Sequence, residues 1–194
     1  MTTETMIQIL IAAAVLIVGG IGIWFALRLS RSRNLRQKFG PEYDYTMEKV
    51  GDRRAVEETL AEREKRISKL DIRSLDEAER DRYHGEWLEI QADFVDNPSK
   101  SVDSGNRLIT EVMVARGFPV ADFEQRAADL SVMYPDFVIN YRNAYAIALK
   151  NKGNQTSTEE LRQAMVYYHS LFEELLGAAD ERFIEAKEKE VVTQ

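Results

Sequence analysis

Cysteine is absent from this chain, and histidine occurs only at His84 and His169. The first absence excludes disulfides, thiolate metal ligands, iron–sulfur clusters and a thiol nucleophile. The second leaves no H-E-x-x-H pattern, so no metal ligand, no cofactor and no catalytic histidine is assigned. Phosphate-cradling and nucleophile-elbow motifs are missing too: no Walker lysine loop, no G-x-G-x-x-G and no G-x-S-x-G. An EF-hand register with Gly105 sixth and Glu111 twelfth fails, because Lys100 and Val102 would stand at its first and third positions. β-Alternation and Asn-Gly hairpin turns are absent as well. Carboxylates are plentiful, but catalysis by carboxylates needs paired groups in contrasting environments. The chain is therefore read as all-α and non-enzymatic.

What is present begins with Ile7 to Leu27, an uncharged run of 21 residues whose single polar side chain is Gln8. At ~1.5 Å per residue it makes a helix ~32 Å long, which matches a ~30 Å hydrocarbon core. A cleaved signal peptide would carry a basic start and a shorter apolar core. Residues 1–6 have no basic residue, so a retained transmembrane helix is expected. Five basic residues follow within eleven positions: Arg28, Arg31, Arg33, Arg36 and Lys38. The positive-inside rule then places residues 1–6 outside and the C-terminal part in the cytoplasm of a cell bounded by an inner membrane. The same five side chains suit anionic head groups at the membrane surface. Gly22 and Ala26 make one small-xxx-small pair, but glycine is common in membrane helices and one pair carries little.

Beyond Lys38 the remaining 156 residues carry 21 basic and 32 acidic side chains, a net charge of −11. That is enough chain for one domain with its own core. Its acidity argues against nucleic acid as a partner.

Residues 28–41 read as a basic linker ending at Phe39-Gly40-Pro41. In Glu42–Lys69, 15 of 28 residues are charged, and the stretch 42–70 is expected to be a charged helical stalk, or a helix packed on its own domain, interrupted at Gly51-Asp52. Its narrow stripe of Val56, Leu60 and Ile67 has heptad-compatible spacing. A homodimer through this stripe is compatible with the pattern, although two heptads fall short of the three or four that define a coiled coil. Residues 71–177 should form a soluble bundle of about five helices. The first starts at a capping box, Ser74-x-x-Glu77, and carries Tyr83, Trp87, Ile90 and Phe94 on one face. The second runs from about Pro98 to Arg116 and stops at Gly117. The third holds Phe123, Ala127, Leu130 and Tyr134, with Asp122 as its cap. The fourth begins at Pro135. The last follows Thr156-x-x-Glu159 or Ser157-x-x-Glu160, both capping boxes in form, and carries Leu161, Met165, Tyr168, Phe172 and Leu175. Residues 178–194 are a charged tail.

Protein interfaces favour aromatics and arginine over lysine and glutamate. On that ground Arg116, Arg126, Asp129 and Tyr167 are the candidate partner-binding residues. Tyr167 is included because it adjoins Tyr168, and the two cannot face the same core.

Five stretches carry a resemblance: FGPEYD at Phe39–Asp44, GDRR at Gly51–Arg54, FVDNP at Phe94–Pro98, DFEQRAADLS at Asp122–Ser131 and LRQAMVYY at Leu161–Tyr168. With the N-terminal anchor, they resemble a family of uncharacterised bacterial single-pass membrane proteins. The resemblance implies bacterial origin and membrane attachment, and it transfers no activity and no catalytic residue. The expected function is a membrane-anchored interaction or scaffold module at the cytoplasmic face of a bacterial inner membrane, bound to lipid through its anchor and to an unknown protein. The alternative is a membrane-tethered sensor or small-ligand-binding helical domain. A pocket of ~300 Å³ with convergent polar groups would favour the alternative, and an exposed apolar patch the first reading.

Overall fold

Proline and glycine punctuate the fold where the sequence places them. In the computed structural model, residues 19–20, 32–119, 121–153 and 155–177 are described. The chain divides into two units, residues 1–38 and 39–194. Of the apolar run 7–27 only residues 19–20 are described, so the transmembrane expectation lies outside the described residues, as do Arg28, Arg31 and the tail 178–194. Among the described residues no helix is long and apolar enough to cross a membrane. Residues 32–38 of the first unit are helical, and Arg33, Arg36 and Lys38 are exposed.

Among its described residues the second unit holds seven helices: α1 (Pro41–Val50), α2 (Arg53–Ile67), α3 (Glu77–Asp93), α4 (Pro98–Ala115), α5 (Phe123–Met133), α6 (Pro135–Asn151) and α7 (Thr158–Leu176). No strand occurs among the described residues. Proline opens α1, α4 and α6, where its missing N–H is no loss and its fixed φ suits the first turn. Gly51 ends α1 at φ 74°, and Asp52 caps α2 by accepting from the Ala55 N–H at 2.8 Å. The expected interruption at Gly51-Asp52 is therefore present. Asp122 caps α5 through the Gln125 N–H, and Ser157 with Glu160 forms the capping box of α7. The box of α3 is Asp76 with Glu79, two residues beyond the Ser74–Glu77 pairing expected from the motif. Asp at the N-cap accepts from the helix N–H groups as well as Ser does, and it also complements the helix dipole.

The helices pack around α6 and α7. Helix α7 lies against α4 and α6, α3 covers the outer side of α4, and α1 and α5 both pack on α6. The core runs through Trp87, Val102, Ile109, Leu130, Tyr141, Tyr168 and Phe172, all buried. The bundle 71–177 thus contains five helices, α3 to α7.

Of the two readings of 42–70, the packed one is found and the free stalk is not. The stretch forms two helices: α1 packs on α6, and α2 packs on α5. Val56, Leu60 and Ile67 are fully buried in this contact. A stripe too narrow for a coiled coil suffices to dock a helix on its own bundle, because each buried Leu or Ile is worth about 1.5–3 kcal/mol. Burial within the chain also removes this stripe as a homodimer seam.

Candidate functional site

Two features of the 39–194 unit offer themselves to other molecules: a polar cleft beside α1 and an apolar groove between α3 and α7.

The cleft is built on a buried ion-pair network. Glu42, in the first turn of α1, is wholly buried. Its Oε1 accepts from Arg63 Nη1 at 2.7 Å and from Arg142 Nη2 at 3.0 Å, and its Oε2 accepts from Arg142 Nε at 3.3 Å. Buried carboxylates need such partners, since an unpaired charge in the interior is costly. Arg142 sits one turn after Val138 on the inner face of α6, and it is only 8% exposed. Its remaining Nη1 donates to Glu124 Oε2 at 2.9 Å, and Lys49 Nζ lies 3.4 Å from the same oxygen. The Tyr45 ring lies under both cations, 4.3 Å from the Arg142 guanidinium and 4.7 Å from the Lys49 ammonium. The cavity above this network holds about 300 Å³.

The groove lies between the C-terminal half of α3 and the middle of α7. Gln91, Phe94, Arg162, Met165, Val166 and His169 line about 230 Å³. Val166 is 48% exposed, and Val95 beside Phe94 is 84% exposed. Leu88, one helical turn before Gln91, is 51% exposed. Beneath the groove the Trp87 ring stacks on Phe172 with centroids 4.8 Å apart and meets the His169 ring at 5.2 Å. His169 Nε2 also lies 3.1 Å from Glu173 Oε1, and Arg162 donates to both oxygens of Glu159 at 2.8 and 2.6 Å.

The four candidate partner-binding residues do not share a surface. Arg116 is fully buried. Its Nε donates to the Arg73 carbonyl at 3.2 Å, and its Nη1 donates to the Leu175 carbonyl at 3.1 Å and to the Tyr134 hydroxyl. Asp129 is buried too, with Oδ1 accepting from Arg66 Nε at 2.9 Å and from Gln125 Nε2 at 2.9 Å. Both residues hold helices of this chain together and cannot reach a partner. Composition favours Arg at interfaces, but it does not separate an arginine on a surface from one that ties buried carbonyls. Arg126 is half-buried, donating to the Ala121 carbonyl at 2.6 Å and to the Tyr141 hydroxyl at 3.3 Å. Tyr167 is half-buried and Tyr168 fully buried, so the adjacent tyrosines do face different ways.

Sequence reading passed over both the network and the groove. Arg142 left a signal, a charge at i+4 from Val138 inside an apolar stripe. The groove left another: Val166 falls off the inner face of α7. Among the described residues no group of three or more His, Asp or Glu is arranged to hold a metal ion. Compared with protein-family models, curated proteins and solved structures, the chain matches none.

Proposed function

We propose that this protein is a non-enzymatic interaction module, held at the cytoplasmic face of a bacterial inner membrane by residues 7–27, and that its partner docks a helix into the α3–α7 groove. One observation carries the reading. Val166, one of six large hydrophobic side chains exposed among the described residues, lines this groove together with Phe94 and Met165. Grouped exposed apolar residues mark interaction sites, while scattered ones need no explanation. A groove between two helices suits an amphipathic helix with anchors at i, i+3 or i+4, and i+7.

Charge specifies the occupant further. Helix α3 carries six acidic and two basic side chains, and α7 carries four acidic and one basic. Both helices are net negative as a whole, and the two basic side chains of the lining, Arg162 and His169, already face acids of their own helix. The complementary partner is a helix with an apolar strip flanked by Lys and Arg, steered to the groove by opposite charge.

Photo-crosslinking in native membranes tests this with the full-length chain. A crosslinker at Val166 should trap a basic amphipathic segment of another protein, and a synthetic peptide of that segment should bind more weakly as salt rises. A crosslinker at Val114, exposed on another helix, is the control. Equal trapping at both positions, or trapping of a second copy of this chain, overturns the assignment. Attachment and orientation are tested separately by reporters fused after Gln194, where the cytoplasmic reporter should be active and the periplasmic one silent.

A further inference from the structure

We infer that the cleft beside α1 is a second binding site, independent of the groove, which takes a small molecule by its carboxylate in the place now held by the Glu124 side chain. The geometry separates fixed parts from an exchangeable one. Arg142 commits Nε and Nη2 to the buried Glu42, so its guanidinium cannot turn away. That leaves Nη1 aimed at the cleft, where it meets Glu124 Oε2 at 2.9 Å. Lys49 reaches the same oxygen at 3.4 Å from the other side. A carboxylate oxygen therefore already sits between two cations, and its position defines what the site accepts.

Glu124 is the loosely held member. Its side chain is 63% exposed, against 8% for Arg142. An ion pair with one partner in water contributes little, because the carboxylate is nearly as well solvated when it swings out. Once it has left, the cleft keeps Lys49, Arg63 and Arg142 and only one lining carboxylate, Asp122. Asp122 is itself engaged as the cap of α5, accepting from the Gln125 N–H at 2.9 Å. The emptied position then favours an incoming carboxylate over a neutral group or a cation.

The rest of the ligand has room and polar company. The cavity of about 300 Å³ is also lined by Thr46, Thr59 and Gln125, with Val50 and the Tyr45 ring as its apolar walls. That volume lies at the lower end of small-ligand sites, which fits a metabolite-sized carboxylic acid and not a polymer. The fixed Nη1 of Arg142 and the Lys49 ammonium together supply two charge-assisted donors to one carboxylate, one from each cation.

The test titrates succinate into the full-length chain in detergent micelles, followed by calorimetry and by the Gln125 and Thr46 amide resonances. Removing the resident carboxylate should help the ligand. Glu124→Ala is expected to bind succinate at least tenfold more tightly than the unaltered chain. Lys49→Glu, in the Glu124→Ala background, is expected to lose that gain. Both side chains are largely exposed, so neither change endangers the fold. The inference is overturned if Glu124→Ala binds succinate no better than the unaltered chain, or if Lys49→Glu leaves binding intact. Inorganic phosphate binding as tightly as succinate would overturn the carboxylate assignment.

Discussion

Glu42 and Arg142 stand one hundred residues apart in sequence and meet as a buried pair, with Nη2 and Oε1 3.0 Å apart. The contact joins the first helix of the 39–194 unit to its sixth. It also explains why so highly charged a segment folds back onto a bundle: its one fully buried carboxylate finds two guanidinium groups waiting.

Breaking that pair on one side should cost more than removing it. Arg142→Met leaves the Glu42 carboxylate buried with Arg63 alone, and stability should fall by about 3–5 kcal/mol. Glu42→Met with Arg142→Met removes both charges, and the double variant should be more stable than Arg142→Met. Denaturant unfolding of the full-length chain in micelles measures both.

Acid should loosen two helix starts together. Glu79 is held down to about 2 by Arg73, which donates to both of its oxygens, and then by the Asp76 N–H. Glu160 is held down to about 2 by Lys150, then by the Ser157 N–H and hydroxyl. A carboxylate whose folded value lies below its unfolded 4.5 stabilises the fold above that pH and loses the contribution as pH falls toward 2. The melting temperature should therefore drop between about pH 4.5 and 2, and the drop should shrink in the Glu79→Gln/Glu160→Gln variant.

Two glycines should respond to alanine with opposite signs. Gly117 has φ 97°, and a Cβ there would collide with the Asp71 carbonyl, so Gly117→Ala should cost about 2 kcal/mol or more. Gly105 lies inside α4, where a Cβ would rest 3.5 Å from Trp87 and Tyr168 and 3.6 Å from Met165. That is ordinary contact, and Gly105→Ala should stabilise by about 0.5–1 kcal/mol through helix propensity. Thermal melts of the two variants should move in opposite directions.

The core beneath the groove offers a similar contrast. Trp87 is buried against Phe172 and His169, and Trp87→Ala should cost about 3–5 kcal/mol. The Tyr168 hydroxyl is buried without a hydrogen-bond partner among the described residues, and burial pushes its pKa upward. Tyr168→Phe removes an unsatisfied group and should raise stability by about 1 kcal/mol. A lower melting point for Tyr168→Phe would show that the hydroxyl is satisfied in solution.

Much of the fold was legible because its signals are local. Pro98, Pro135, Asp122, Ser157 and Gly117 each act within one turn of backbone, and each marks a helix end where the sequence puts it. Apolar stripes at steps of three and four likewise named Trp87, Leu130, Tyr168 and Phe172 as core. The candidate site was less legible, because its chemistry is made of pairings across long separations. Nothing within a few residues of Arg116 announces that its partners are the Arg73 and Leu175 carbonyls. Nothing near Asp129 announces Arg66. Charge density made residues 42–70 look solvated, although three aliphatic side chains and one buried carboxylate decide where they go.

The Arg116 side chain ties the interior to the last helix of the chain's described residues. It ends the fourth helix, yet one of its buried hydrogen bonds goes to the Leu175 carbonyl, 59 residues further along. A nascent chain that has emerged only as far as the sixth helix holds this guanidinium without that acceptor. The early helices can associate as they leave the ribosome, but the interior closes around Arg116 only after the final helix is released. A ribosome stalled within the last helix should therefore display a module still open to proteases.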